Sequence, residues 1–480
     1  MPRLTQAAPL AALLLAGCTL IPAYQRPALP VADAWPAPGG AGATPAADIG
    51  WRDMFQDPAL QGLIALSLGN NRNLRVAVLN IQAAEAQYRI DRASLFPSVD
   101  ATASMNAYHT PAEVTGAAAP TNFREFSLGA GAVAWELDLF GKLRSKAEQA
   151  RQLYLDDADT ATAAEISLVA QVAGEYETWL ADRESEQIAA DSVTADQRNL
   201  QLVSLEAAHG EANAMEVAQA QTALDAAQTS VAQYQRAAAQ DMDALVLLAG
   251  APIPPALLAR MQAVNGLDAE PAIPPVPAGL PSDLLVRRPD IRAAEHALLA
   301  ANANIGAARA AFFPSISLTA DGGTASHTLS DLFAPGSGAW SFAPQITLPI
   351  FTAGANFAAL DQAKIEKRIE VANYEAAIQS AFHDVSDALN ARASYDTQLA
   401  AQQNLVDADT RFLSLAQMRF QAGIDSYLNV LTAQNQLLTA RLGYVSVELA
   451  AMQNNITLYK ALGGGWQETS QASTAAKPSA

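Results

Sequence analysis

The strongest constraint on the fold is an internal repeat. Phe96-Pro97-Ser98 lies between an Ala-rich helical pattern and alternating polar and apolar residues, and Phe313-Pro314-Ser315 lies in the same context 217 positions later. Each copy then enters a long stretch without proline, at residues 121–251 and 350–477. Proline ends or kinks a helix because it lacks the amide hydrogen and its ring clashes with the preceding turn. The repeat therefore predicts two similar halves, each with a pair of strands and a pair of long helices.

Two segments of alternating polarity predict β-hairpins at about residues 98–139 and 315–351. Each of the four strands has about the length that crosses a bilayer when the strand is tilted. One face of each strand is apolar and the other is polar, which also suits a soluble sheet with one wet face. Because four strands cannot close on themselves and lipid does not tolerate an open edge, a membrane sheet would require several copies of the chain.

The proline-free stretches predict long helical hairpins at about residues 142–250 and 354–462. Each stretch breaks once, at Gly210 and at Gly423, and glycine just past a helix end adopts the left-handed conformation at little cost. Each half thus has a predicted helix of about 65 residues, a turn and a helix of about 40, and the longer helix would extend roughly 100 Å. Apolar residues recur at spacings of three and four from Leu428 to Tyr459, which predicts a coiled-coil seam. A smaller seam beside it indicates a second helical neighbour, and it begins with Val430, Ala433, Leu437 and Ala440.

The N-terminus predicts a secretory signal. Its apolar stretch ends in Leu15-Ala16-Gly17-Cys18, which resembles a bacterial lipoprotein cleavage box and makes Cys18 the acylated mature N-terminus. Cys18 is the only cysteine, so the chain can form no intramolecular disulfide. Several acyl chains together anchor a protein firmly, and Thr19 in place of aspartate fits export to the outer membrane. No later segment has the continuous apolar length that a transmembrane helix needs.

Charge and histidine spacing argue against several other classes of protein. The net charge of −19 would repel phosphate, which excludes nucleic acid as a partner. None of the five histidines has metal-ligand spacing to another ligand, and His296 is interpreted as structural. The chain has neither a Gly-rich phosphate loop nor a Gly-x-Ser-x-Gly elbow. The sequence therefore predicts no catalytic residue, no metal site and no cofactor apart from the lipid on Cys18.

Several segments resemble the TolC family of outer-membrane channels, and most closely its OprM-like lipoprotein branch. They are spread over nearly the whole mature chain. The similar segments are Tyr24-Gln25-Arg26-Pro27, Trp51-Arg52-Asp53, Asp57-Pro58, 134–141, 294–315, 423–428 and 458–466. The densest of them contains Ala294-Glu295-His296 and ends in the second Phe-Pro-Ser.

The resemblance implies an α+β membrane protein with an internal two-fold repeat. A long α-helical coiled-coil barrel would join a transmembrane β-barrel, and a homotrimer would form both, with four strands from each chain. The implied location is the outer membrane of a Gram-negative bacterium, with a lipid anchor and an extension into the periplasm. The implied partners are a periplasmic adaptor protein, a proton-driven inner-membrane pump of the RND type and outer-membrane lipid. The channel would passively conduct drugs or other toxic compounds outwards.

The resemblance also implies a periplasmic aperture near the helical turns. Leu428 would form an apolar ring there, although it would also fit the coiled-coil seam alone. One helical turn further on, Thr432 stands where close relatives have aspartate, and Asn435 stands at the nearby basic position. Closure is therefore predicted to depend on Leu428 packing and on contacts between helices. Acidic residues at polar strand positions are candidates for a lumen that favours cations, and they are Asp100, Glu136, Asp138 and Asp321.

The predicted organisation is a signal peptide (1–17), a lipidated tether (18–50), a first repeat (51–250), a Pro-rich linker (251–281), a second repeat (282–466) and a disordered tail (467–480). Two other functions stay open: the outer-membrane component of a copper or silver efflux system, and a non-channel periplasmic scaffold. The scaffold would have a similar helical hairpin but would lack the two alternating hairpins. The residues do not indicate the exported compounds, or which pump and adaptor pair with the chain.

Overall fold

The computed structural model describes residues 19–32, 35, 45–116, 118–269, 271, 274, 276 and 287–470. The predicted signal peptide, the predicted lipidation site Cys18 and residues 471–480 lie outside the described residues. The chain divides into two compact units. The first, here called the sheet unit, comprises Met1–Ala28, Asn80–Ala158 and Ala293–Tyr374, and the second, the helical unit, comprises Leu29–Leu79, Asp159–Arg292 and Glu375–Ala480.

The described elements follow the order of the predicted repeat. In the first half they are α1 (Trp51–Met54), α2 (Pro58–Asn70), α3 (Arg72–Ala93), β1 (Asp100–Thr110), α4 (Ala112–Thr115), β2 (Thr121–Leu137), α5 (Lys142–Ala208), α6 (Ala214–Ala249) and α7 (Pro255–Ala263). In the second half they are α8 (Pro289–Ala310), β3 (Ser315–Ser326), β4 (Gly338–Thr347), α9 (Ala355–Gln421) and α10 (Tyr427–Ala461). Helices α5 and α9 have 67 residues each. No helix in the described part of the chain is long and apolar enough to span a membrane.

The sheet unit is built on one antiparallel sheet with the strand order β1-β2-β3-β4. The two predicted hairpins are thus joined through β2 and β3. A bulge interrupts that pairing between Ala132 and Trp135. Ala134 takes a positive φ of 52° there, and its amide donates a hydrogen bond to Thr319 Oγ1 at 3.1 Å. Because of the bulge, the alternation of polarity in β2 restarts at Trp135.

The core of the helical unit gathers large side chains from both repeats. Tyr176 of α5 and Tyr459 of α10 are fully buried, and the Tyr176 hydroxyl donates to Asp57 Oδ2 at 2.6 Å. Phe55 packs edge to face against Tyr459, with ring centroids 6.0 Å apart. The middle of α5 and the end of α10 therefore share one core with the segment between α1 and α2.

Helix α2 begins at Pro58 as an element separate from α1, because Asp57 accepts hydrogen bonds from the amides of residues 59 and 60. Two segments are more ordered than the sequence predicts. The predicted linker contains α7, whose Leu257 and Met261 are buried. The predicted disordered tail is ordered up to residue 470, and its Gln467 carbonyl accepts a hydrogen bond from the Trp51 amide at 2.8 Å.

Candidate channel-forming surfaces

The helical unit contains two turns with the same backbone conformation. Gly210 ends the turn after α5 with φ 83°, and Gly423 does so after α9 with φ 70°. In each turn the residue after the glycine donates to the carbonyl five positions earlier, which belongs to Glu206 or Arg419, at 2.9 Å in both cases. This left-handed closure satisfies carbonyls that the helix end leaves free, and glycine adopts it without a Cβ penalty.

The first turn is fixed by a capping box. The side chain of Asn213 accepts hydrogen bonds from the amides of Met215 at 2.9 Å and Glu216 at 3.1 Å. In return, the Glu216 carboxylate accepts from the Asn213 amide at 2.9 Å. These bonds satisfy the free amides at the start of α6.

The second turn is fixed by an ion pair instead. Ser426 lies at the capping position of α10 but makes no side-chain capping hydrogen bond. Arg419, in the last turn of α9, donates through Nε and Nη2 to the two carboxylate oxygens of Asp425, at 2.6 and 3.2 Å. The hydrogen bonds from Arg419 lower the pKa of the Asp425 carboxyl below its usual value. This pair joins the end of one helix to the segment that leads into the next.

Next to the turns, helices of both repeats share an apolar cluster. It is formed by buried Val203, Ala220, Ala416, Tyr427, Val430 and Ala433. The ring of Phe420 packs edge to face on Tyr427 with centroids 5.8 Å apart. The four long helices therefore pack together at this end of the helical unit.

The predicted aperture residues lie beside this cluster but outside it. Leu428 is 50% exposed, and its repeat counterpart Met215 is 65% exposed. The Thr432 hydroxyl donates to the Leu428 carbonyl at 2.8 Å, so it satisfies its own helix. The structure thus places Leu428, Thr432 and Asn435 along one stretch of α10, with Leu428 free to contact a further chain.

The two predicted seams of α10 differ in burial. Near the turn, the smaller seam is the buried one, and it contains Val430, Ala433, Leu437 and Ala440. In the larger seam, Leu431, Leu438 and Leu442 are partly buried, and Leu431 packs against the apolar cluster. Leu428, at the end of this seam next to the turn, is half exposed.

A buried carboxylate that the sequence analysis missed lies beside Asn435. Asp196 of α5 is only 7% exposed, and burial raises its pKa to about 6. Asp196 and Asn435 line one cavity among α5, α9 and α10. Asp409, the repeat counterpart of Asp196, lines a second cavity with Thr432 and Asn435. Asn435 therefore lines both cavities, each of which contains one of these two aspartates, and no local pattern around Asp196 predicts this placement.

A second group of carboxylates lies further along the helical unit. Burial, together with nearby Asp268 and Glu184, raises the pKa of Glu448. Burial and the neighbouring Asp182 and Glu175 likewise raise the pKa of Asp241. In the part of the chain that the structure describes, no cluster of three or more His, Cys, Asp or Glu side chains is arranged to hold a metal ion.

The sheet has one polar and one largely apolar face. Residues directly opposite each other in the antiparallel register share a face, and this places Asp100, Gly131, Asp321 and Ser341 in one row across all four strands. The Ser341 hydroxyl donates to the Asp321 carboxylate. Glu136, opposite Ser317, lies on the same face. The apolar face carries Met105, Leu128, Trp340, Phe342 and Ile346, which are all exposed.

The four acidic residues predicted to face a lumen have different surroundings in the structure. Asp100 and Asp321 share the row just described, and Glu136 forms an ion pair with Lys142 at 3.1 Å. Asp138 lies beyond the end of β2, where its carboxylate accepts from the amides of Leu143 at 3.0 Å and Arg144 at 2.9 Å. Its side chain is only 9% exposed. The prediction that Asp138 faces a lumen is therefore wrong, because this carboxylate caps the start of α5.

Within the predicted tether, residues 19–28 form a strap on α8. Glu295 of α8 accepts from the Tyr24 hydroxyl at 2.9 Å and forms a bidentate ion pair with Arg26 at 2.8 and 2.6 Å. Further along the same helix, Asn302 donates to the Pro22 carbonyl at 2.8 Å. A Cβ atom at Gly306 would lie 2.6 Å from Ile21, so glycine allows the strap to approach. Two segments that carried the family resemblance, 24–27 and 294–296, therefore bind each other.

The comparisons with known proteins agree with this architecture. The family model described as outer membrane efflux protein matches residues 63–251 and 280–464, one match for each repeat. The chain is 48% identical over 467 residues to the toluene efflux pump outer membrane protein TtgC of Pseudomonas putida, with 96% of each chain covered. It is 42% identical over 461 residues to the cation efflux system protein CusC of Escherichia coli, covering 95% of this chain and 98% of the relative. The open state of the MtrE outer membrane channel of Neisseria gonorrhoeae has a TM-score of 0.84 and 39% identity, covering 95% and 100% of the two chains.

These matches extend over nearly the whole chain and include both its helical hairpins and its sheet. They confirm the predicted α+β channel fold with an internal repeat, the predicted outer-membrane location and the predicted role as a passive efflux channel rather than an enzyme. The chain belongs to the outer membrane efflux protein family.

Proposed function

We propose that three copies of the chain form the outer-membrane channel of a tripartite efflux system that exports apolar solvents and antibiotics. A periplasmic adaptor protein and a proton-driven inner-membrane RND pump deliver the compounds to it. The observation that carries this proposal is the two-faced sheet whose outer strands are unpaired. Strands β1 and β4 each have a strand partner on one side only among the described residues.

The unpaired edges determine how the sheet closes. Backbone groups at an open edge have no partner in lipid, so β1 of one copy must pair with β4 of the next. Three copies supply twelve strands, and twelve leave an opening where about eight would be filled by side chains. The polar face then lines the opening and the apolar face contacts lipid. The half-exposed Leu428 of α10 supports the same arrangement, because a helix of a further copy would cover it.

The relatives support the substrate class. The curated relative with 48% identity is named for toluene export. Such compounds need no specific ligands from the channel, and the polar lining lets them pass with water. Copper or silver export is the second candidate, and the 42% identity to a cation efflux protein favours it. A scaffold does not fit, because the chain has both hairpins.

Two residue-level roles belong to this proposal. The Cys18 thiol carries the lipid that anchors the chain, and the strap begins at the next residue. Leu428 forms the apolar ring of the aperture, because its side chain is half exposed beside the turn while its neighbours Tyr427 and Val430 are buried. Neutral Thr432 and Asn435 leave this ring without a charged lock.

The experiment is complementation of a bacterium that lacks its own efflux channel. The wild-type chain should form a heat-resistant trimer in outer-membrane extracts and restore resistance to toluene and to antibiotics. Copper and silver resistance is measured in the same strain. Resistance to the metals alone would favour the second candidate, and a soluble periplasmic monomer would overturn the channel proposal.

A further inference from the structure

The polarity of the sheet reverses at its loop end. Along the polar face of β1, Asp100, Thr102, Ser104 and Asn106 alternate with the apolar residues of the other face. The next residue on that face is Tyr108, and it lies directly opposite Phe123 of β2. Outside the bulge of β2, these are the large apolar side chains of the polar face of β1 and β2, and both lie at the end where the hairpin loops begin.

The two rings are held in place by a third. Tyr108 and Phe123 are stacked with centroids 6.3 Å apart. Phe123 also packs edge to face on His327, which follows β3, with centroids 5.0 Å apart. The His327 ring is fixed through Nδ1, which lies 2.9 Å from the Arg124 carbonyl oxygen. Ring pairs in stacked and edge-to-face arrangements attract each other beyond the area that they bury, so these contacts favour one arrangement of the three rings.

Lipid contact does not explain these rings. At the same level, the other face carries polar side chains, and His109 Nδ1 lies 2.7 Å from Asn122 Oδ1. The large apolar residues of that face end earlier, at Met105 and Phe126, and only the small Ala107, opposite Arg124, follows them. The sheet has therefore left the apolar layer where Tyr108 and Phe123 begin, and their rings lie on the face turned away from lipid.

We propose that Tyr108, Phe123 and His327 of three copies form an aromatic collar that narrows the outer end of the channel and holds back large hydrophilic compounds from outside. This rests on the proposed function, in which the closed sheet turns its polar face inwards. Aromatic rings narrow a pore and offer few hydrogen bonds to a hydrophilic solute. Apolar and amphiphilic compounds that leave the cell can stack on the same rings.

A cysteine placed deeper than the collar tests this directly. Ser127 lies on the polar face four residues from Phe123, which is about 13 Å along the strand. In intact cells, Ser127→Cys should react with N-ethylmaleimide and hardly at all with a maleimide coupled to bulky polyethylene glycol. Adding Tyr108→Ser and Phe123→Ser should raise the rate of the bulky reagent about tenfold and leave that of the small one unchanged. Labelling of the chain without Ser127→Cys is subtracted as background.

The matched control changes the neighbouring pair on the other face. His109→Ala with Asn122→Ala should leave both labelling rates as they are. Equal rates for the bulky reagent with and without the rings would overturn the collar but not the channel. Failure of both reagents to reach Ser127→Cys in every variant would instead show that the polar face is not the lumen, which overturns the proposed function. Trimer formation is checked for each variant, and Phe123→Ser alone serves if the double change prevents assembly.

Discussion

The two helical turns share a backbone and differ in what holds them. Both close through a left-handed glycine and the same pattern of hydrogen bonds. The first turn is fixed within α6 by the capping box of Asn213 and Glu216. The second is fixed across the turn by Arg419 and Asp425, which belong to different segments. The two repeats thus share the backbone of the turn but not the side chains that hold it. A change in pH or salt can therefore affect the two turns differently.

The largest expected effect is on channel conductance, and it should distinguish Leu428 from its repeat counterpart Met215. If Leu428 forms the apolar ring, Leu428→Gly should open the aperture and raise the single-channel conductance of the purified protein in a planar bilayer severalfold. Met215→Gly removes a similar side chain from the equivalent place and should change the conductance much less. An unchanged conductance for Leu428→Gly would end the proposed gating role, and equal rises for both variants would show that the two turns gate together.

The next effect is on the pH dependence of folding stability, and it should distinguish Asp196 from its repeat counterpart Asp409. Because the folded protein holds Asp196 at a pKa of about 6, above the usual 3.8, its charge opposes folding. This penalty grows as pH rises from about 4 through 6 and is complete above that range. Asp196→Asn should therefore stabilise the protein at pH 7.5 by about 2 kcal/mol and by about half as much at pH 5.

Thermal unfolding of the two variants at both pH values measures this difference. Asp409→Asn is the matched control at the equivalent place in the other repeat, where the side chain is less buried, and it should stabilise the protein less. A stabilisation by Asp196→Asn that is the same at pH 5 and pH 7.5 would contradict the assignment of a raised pKa to Asp196.

A smaller effect is on helix stability, and it should distinguish the capping residues of α6 and α10. Asn213→Ala removes the hydrogen bonds to the first amides of α6 and should cost about 1 kcal/mol. Ser426→Ala should cost much less, because the Ser426 side chain caps nothing. Hydrogen exchange of the amides in the first turn of α6 and of α10 reports both changes. Equal acceleration in the two variants would mean that the capping box does not distinguish the turns.

The smallest effect is the loss of the exposed ion pair. Arg419→Ala should speed hydrogen exchange at residues 422–426 slightly at low salt and hardly at all at high salt, because salt screens exposed charges. The stabilising contribution of Asp425 should persist from neutral pH down to about pH 4 and be lost only below, since its folded pKa is lowered. Loss of this contribution between pH 8 and pH 5 would contradict that sign.

Local patterns predicted the features that local forces determine. Gly210 and Gly423 were found because a left-handed turn favours glycine, and the strands because their polarity alternates. Asp138 was misplaced, since its position continues the alternation while its partners are backbone amides that appear only when α5 begins. The burial of Asp196 depends on which face α10 turns towards α5, and no pattern around residue 196 contains that information.

The docking of the strap on α8 could not be predicted for a different reason. An extended segment has no periodicity, and the Pro-, Ala- and Gly-rich composition of residues 19–50 predicts only an extended tether. Only the partners on α8 give the segment its order, through Glu295 and Asn302. The same holds for residues 467–470, which are ordered by α1. Sequence reasoning therefore assigned the repeats, but not the segments whose structure is set by distant partners.

The strap has a consequence for the order in which the protein is built. Arg26 and Glu295 are separated by 269 positions, and the chain emerges from the ribosome with its N-terminus first. The first described residues must therefore wait, without their partner, until most of the chain has been synthesised and α8 has formed. Closing so long a loop is slow, because its entropy is lost before the contact is gained. Docking of the strap thus belongs among the late steps of folding, and a truncated chain that ends before α8 would leave it undocked.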